Sequence, residues 1–117
     1  MGAALAALWP PPLLAQEASV ERGHQLFEAC SVCHSTEAGG QGLGPTLHGI
    51  VGRPAGSVPG YRYSRALKNA HLTWTVQELD RYVADPQAAV PGNRMPYSGM
   101  PAAADRASLL AYLETLK

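Results

Sequence analysis

The stretch Cys30-Ser31-Val32-Cys33-His34 constrains this chain more than any other. Two cysteines three positions apart, followed directly by a histidine, form the CxxCH pattern of covalent haem attachment. On a helical turn each thiol can add to one vinyl group of a haem, while the adjacent histidine reaches the iron. Competing readings of the cysteine pair fit less well. A thioredoxin-like dithiol sits at a strand-to-helix junction, and no strand pattern precedes Cys30. A zinc site needs further ligands, and these are the only two cysteines. A disulfide between residues so close closes too small a loop to constrain the unfolded chain.

The remaining composition agrees with a protein built around such a group. At 117 residues the chain makes one domain with a limited apolar core of its own, and a haem would supply the missing centre. With 12 Gly, 10 Pro and only 15% charged residues, long irregular connections are expected between a few helices. Nine basic and nine acidic residues give zero net charge, so nothing in the global balance argues for nucleic acid or for an anionic membrane as a partner. Partners must be recognised locally.

Met1 to Ala15 is apolar, lacks Lys and Arg, and is interrupted by Pro10-Pro11-Pro12. It is shorter than the about 20 apolar residues a bilayer crossing takes. It reads as the remnant of a secretory signal peptide, with Ala15 before Gln16 as the cleavage point and Leu13 an imperfect match at minus three. The alternative is an N-terminal extension without fixed structure. Residues 1–18 are therefore set apart from a domain at 19–117, and export implies a periplasmic or equivalent compartment.

Within that domain the pattern is all-α. Ser19 is an N-cap with Glu21 in the first turn, and Val20, Gly23, Phe27 and Cys30 line one face. A glycine there costs about 1 kcal/mol against alanine and makes sense if another helix approaches its backbone closely. Leu109, Tyr112, Leu113 and Leu116 form a matching face on a helix from about Ala102, after Pro101 and with Asp105 in its first turns. The terminal helices are expected to cross, Gly23 and Phe27 against Leu109 and Tyr112. Thr75-Val76-Gln77-Glu78 is a capping box opening a helix with Leu79, Tyr82 and Val83 inward, broken at Pro86. A shorter helix spans Ser64 to Ala70, where Arg62, Arg65 and Lys68 recur at threes on a solvated face.

An iron that only relays electrons needs a second axial ligand. The candidates are Met95, Met100, His24, His48 and His71. Met95 lies in Pro91-Gly92-Asn93-Arg94-Met95-Pro96, where prolines reduce the entropy lost in presenting the sulfur. Met100, also before a proline, is its rival, and the histidines read first as surface residues. Periodicity alone makes Tyr82 a core residue.

Taken together, Cys30 to His34, Gly44-Pro45-Thr46-Leu47-His48-Gly49, Gly52-Arg53, Pro59-Gly60-Tyr61-Arg62-Tyr63, Trp74, Tyr82 and Pro91 to Met95 closely resemble class I cytochromes c, in the group of mitochondrial cytochrome c and bacterial cytochrome c2. The resemblance runs from Ser19 to Lys117. It implies the cytochrome c fold, a few helices and long loops wrapped around one covalent haem c held by Cys30 and Cys33. His34 and Met95 would be the axial ligands, with the Pro45 carbonyl accepting the other ring N–H of His34. Tyr82 would hydrogen-bond the Met95 sulfur, and Arg53, Tyr63, Trp74 and Asn93 would hold the propionates. Arg94, Tyr97 and Met100 would face partners at the haem edge.

The implied activity is that of a soluble, monomeric one-electron carrier, not an enzyme, exchanging electrons with a quinol:cytochrome c oxidoreductase, a terminal oxidase or a photosynthetic reaction centre, and meeting membranes only through them. The alternatives are a peroxidase-like haem enzyme with a labile methionine ligand and a haem subunit of a larger redox complex. Two departures stand out. Glu28, Gln87, Ala88 and Ala102 fall where mitochondrial members carry a lysine ring and only Arg94 remains, so docking should be less salt-sensitive and more apolar, through Tyr97, Met100 and Pro101. Leu67 replaces an asparagine of a small polar network, which implies a drier distal side.

Overall fold

The computed structural model describes residues 18–117. The expectation for residues 1–18 lies outside the described residues except at Ala18. Five helices follow in order: α1 (Val20–Ser31), α2 (Arg65–Lys68), α3 (Val76–Ala84), α4 (Pro86–Ala89) and α5 (Ala103–Leu113). Among the described residues the only β pairing is an antiparallel bridge between Pro54 and Thr73. Bonds from Ala55 N–H to Leu72 O (2.8 Å) and from Trp74 N–H to Arg53 O (2.9 Å) hold those two loops side by side. The all-α reading therefore holds.

α1 and α5 cross as expected. Ser19 is extended and its Oγ accepts from Arg22 N–H at 3.1 Å, satisfying one of the free donors of the first turn. The crossing point is Gly23. A Cβ there would overlap the Ser108 carbonyl and lie 2.7 Å from Tyr112 Cβ, so α5 packs directly on the α1 backbone. Ser108, rather than Leu109, is thus the residue opposite Gly23, and its Oγ also accepts from Ser19 N–H at 3.1 Å. One turn on, the Tyr112 ring lies between His24 and Phe27, with centroids 5.0 and 5.2 Å away. Phe27 is buried, an effect worth about 1.5–3 kcal/mol for a side chain of this kind. The Arg22–Asp105 pair at 3.6 Å is exposed and adds little. The buried face of α5 is wider than the sequence pattern, taking in Ser108 and Leu110 while Tyr112 and Leu116 stay half-buried.

α3 buries Leu79 and Tyr82. Its capping box is only half made. Thr75 Oγ1 accepts from Glu78 N–H (3.1 Å), but the Glu78 carboxylate takes Arg81 at 2.8 Å, because Thr75 N–H is already given to Thr73 O (2.8 Å). Pro86 ends α3 and, in a position the sequence pattern marked only as a break, begins α4, with Asp85 Oδ1 accepting from Ala88 N–H. Arg106 joins α5 to α3 and to the loop before it: Nε donates to Asp80 (2.8 Å) and Nη1 to the carbonyls of Met100 (2.9 Å) and Pro101 (2.8 Å). α2 is shorter than expected and is capped by Ser64 Oγ on Leu67 N–H. The core runs from Phe27 and the α5 leucines through Leu79 and Tyr82 to Trp74, with Ile50 and Val90 supplied by loops.

Candidate haem site

α1 delivers the cysteine pair at its C-terminal end. Cys30 O accepts from both Cys33 N–H and His34 N–H at 3.0 Å, so the helical turn continues past Ser31 and sets Cys30, Cys33 and His34 along one wall of a cavity of about 300 Å³. Both cysteines are free thiols. Burial pushes the Cys30 thiol up, and the neighbouring Cys33 adds to it. His34 is fixed from behind: its Nδ1 lies 2.6 Å from Pro45 O, which can only accept. The proton therefore sits on Nδ1 and the Nε2 lone pair is free. Burial, with a further push from Arg53, holds the imidazole below its ordinary value against the raising effect of Pro45, favouring this neutral form. Gly44 is required here, since a Cβ would lie 2.7 Å from His34 Nδ1. The loop carrying Pro45 is pinned by Gly44 N–H on Cys33 O (2.8 Å) and by the buried Thr46 hydroxyl on Glu37 O (2.6 Å).

Met95 lines the same cavity, set by Asn93. The buried Asn93 amide donates to Pro86 O and Val90 O, each at 2.9 Å, and its Oδ1 accepts from Met95 N–H at 3.0 Å. Gln87 braces the same loop through Asn93 O (2.8 Å) and Gly92 N–H (3.1 Å). Asn93 itself lines the cavity. Both its amide hydrogens are committed to backbone carbonyls, so it shapes the methionine loop and has no donor left for a propionate. Met100 does not line the cavity. Its N–H donates to Val83 O (2.8 Å) and its side chain packs on the core. His24, His48 and His71 are also outside it: His24 stacks on Tyr112, His48 Nδ1 meets Thr36 O at 3.2 Å, and His71 occupies an exposed turn at φ 52°.

The other walls combine apolar surface with a few polar groups. The Trp74 and Tyr82 rings pack tilted at 57°, centroids 4.9 Å apart, and Leu67 adds an apolar face where the resemblance places a polar network. Burial, with a smaller contribution from Tyr61, pushes the Tyr82 phenol up to about 12, so its hydroxyl keeps its proton and can donate throughout the physiological range. Arg53 Nη1 donates to His48 O (2.9 Å), while its buried Nε has no partner. An orphaned buried guanidinium donor costs about 1–3 kcal/mol, more if charge is left uncompensated. Burial also lowers the Arg53 pKa, with Tyr63 opposing. Tyr63 OH accepts from Val58 N–H at 3.0 Å, which leaves its own hydrogen to give. A largely apolar space with two thiols, an imidazole nitrogen and a thioether, and with an unpartnered Arg53 Nε donor in its lining, suits a flat apolar group that bears iron and carboxylates.

No sequence pattern marked the rim. Leu43 is 80% exposed and also lines the cavity, and Val32, inside the attachment stretch, is 77% exposed. Tyr61 OH ties the rim down by donating to Leu43 O at 2.8 Å, while Tyr97 also lines the cavity. The Arg94 side chain is exposed, with Nη2 on Arg62 O.

A family model described as cytochrome c matches residues 20–117. The chain belongs to the cytochrome c family. It is 44% identical over 98 residues to cytochrome c of Euglena viridis, spanning 83% of this chain and 96% of that one. Cytochrome c2 iso-2 of Magnetospirillum fulvum is 43% identical over 90 residues, 77% of this chain and 94% of the relative. Among solved structures, cytochrome cH from Methylobacterium extorquens superposes with a TM-score of 0.79 at 38% identity, over 84% of this chain and 99% of that one. The fold is the all-α cytochrome c fold, and the protein is a class I c-type cytochrome that carries electrons on one covalently attached haem c with its iron. The family is one of electron-transfer proteins, and neither the peroxidase-like reading nor the complex-subunit reading is favoured.

Proposed function

We propose that this cytochrome holds its haem through thioether bonds from Cys30 and Cys33, with His34 and Met95 as axial ligands, and works as a diffusible one-electron carrier rather than an enzyme. The observation that carries this reading is the convergence on one cavity of both thiols, a histidine whose Nδ1–H is fixed on Pro45 O, and a methionine whose N–H is fixed by Asn93. The haem, when bound, supplies the reversible ferric–ferrous couple. The chain supplies the rest. His34 presents Nε2 as a strong donor because its other nitrogen is hydrogen-bonded. Met95 presents a soft thioether, which favours the ferrous state and raises the potential. With His34 and Met95 both holding the iron, the chain would leave no place for oxygen or peroxide, and the braced loops would limit rearrangement between oxidation states. Arg53 and Tyr63 offer donors to the propionates, and Tyr82 and Leu67 keep the methionine side dry except for one hydroxyl.

An absorption spectrum of the haem-loaded protein tests the ligand set. A low-spin spectrum with a far-red methionine-to-ferric-iron charge-transfer band is expected, and a high-spin spectrum at neutral pH would sink the carrier reading in favour of an open, peroxidase-like site.

The working compartment is periplasmic or equivalent, and among the described residues no helix is long and apolar enough to cross a membrane. The partners are membrane redox complexes, a quinol:cytochrome c oxidoreductase on one side and a terminal oxidase or photosynthetic reaction centre on the other, met by a monomer. Docking uses an apolar rim: Tyr97 and exposed Leu43 line the cavity and exposed Val32 adjoins Cys33 in the chain, so contact there would bring a partner close to the redox centre. Leu43→Asp should slow electron transfer to a physiological partner by about tenfold without altering the absorption spectrum. Stopped-flow mixing measures this, and an unchanged rate would move the docking surface elsewhere.

A further inference from the structure

We propose that a second concavity, beside the haem cavity, binds a phosphate-class anion carrying two or more charges. Its volume is about 450 Å³, and it is wide open to solvent. Arg62, Arg65, Lys68 and Arg94 line it, and Ala66 and Gly92 are among its small lining residues.

Four of the nine Lys and Arg residues of an electrically neutral chain thus surround one basin, and no Asp or Glu lines it. Among the described residues the ion pairs belong to Arg22, Arg81 and Arg106, so none of the four basin cations is matched by a carboxylate. Arg94 reaches the basin from a different loop than the other three, and its Nη2 donates to Arg62 O at 2.9 Å, which restrains the guanidinium. Unmatched like charges around one space repel, and a multivalent anion among them converts that repulsion into attraction. Guanidinium forks take two phosphate oxygens each and the lysine adds a compact charge, a combination suited to phosphate. Small residues keep the basin open: the φ of Gly92 is 89°, and a Cβ on it would lie only 3.3 Å from Ala66 Cβ. Four cations around one open basin suit a compact polyanion.

Tyr63, Ser64 and Arg94 line both concavities, so the anion would sit next to the redox centre. The oxidised protein carries one more positive charge and binds the anion more tightly, and by reciprocity the bound anion lowers the midpoint potential. This coupling rests on the carrier reading above, whereas binding itself does not.

Calorimetric titration of the full, haem-loaded chain with inorganic pyrophosphate at low ionic strength tests the site. Saturable binding to one site is expected, weakened by about tenfold or more in Arg65→Gln/Lys68→Gln. Arg22→Gln/Arg81→Gln removes the same charge elsewhere and should bind as the parent does. Absence of saturable binding, or equal weakening in both double variants, overturns the site. Co-sedimentation with phosphatidylglycerol vesicles without pyrophosphate binding overturns the soluble ligand and assigns the phosphate to a lipid headgroup. Titrating both oxidation states tests the coupling. Tenfold tighter binding to the ferric form corresponds to a potential about 59 mV lower, and equal affinity overturns the coupling while leaving the site.

Discussion

Met95→Ala should leave the haem attached, remove the far-red charge-transfer band and lower the midpoint potential by on the order of a few tenths of a volt. Attachment is kept because the two thiols and His34 are held by α1 and by the Pro45 loop, on separate hydrogen bonds from those that set Met95. The potential falls because the lost ligand is the soft one that favours the ferrous state, and because water gains entry to a site otherwise walled by Leu67 and Tyr82. Met100→Ala is the matched control. Its side chain packs on the core outside the cavity, so the band should persist while some stability is lost. Spectra and potentiometry of the two variants separate the rivals, and a band that survives in Met95→Ala would refute the ligand assignment.

The second large effect is expected far from the iron. Gly23→Ala should destabilise the fold by about 3 kcal/mol, although alanine is the better helix former by about 1 kcal/mol. The reason is steric. The new Cβ would overlap the Ser108 carbonyl and come within 2.7 Å of Tyr112 Cβ, neither of which is the free end of a flexible side chain. α1 and α5 must then separate, weakening the Ser19–Ser108 bond and the packing of Phe27 on Tyr112. Thermal unfolding should shift downward by on the order of 10 °C while the room-temperature spectrum stays that of the parent. An unchanged or raised midpoint would show that the helices slide apart at no cost.

Much of this was legible in the chain itself because the signals are local. Ser19 and Thr75 cap helices through bonds to residues three positions on, Pro86 cannot continue α3, and CxxCH places two thiols and an imidazole within one turn. Gly23 announced a close approach because nothing else explains a glycine on an apolar helix face. What was missed depended on competition between partners. The capping box was half made because Glu78 had Arg81 within reach and Thr75 N–H had Thr73 O. Asn93 offered the same amide to a propionate or to the backbone, and the path of the chain around Pro86 and Val90 chose the backbone.

The sequence by itself determined the covalent chemistry, the helix starts and the apolar faces of the terminal helices, since each is written in spacings of a few residues. Only the tertiary structure brought Met95 and not Met100 to the cavity that His34 lines, because both methionines precede prolines and only the Asn93 brace and the seat of Met100 near Val83 distinguish them. It also turned Arg62, Arg65 and Lys68, whose period marked a solvated face, into three sides of a basin completed by Arg94. That closure joins segments remote in the chain, and no spacing along a sequence encodes the distance between residues that meet only when the loops have folded.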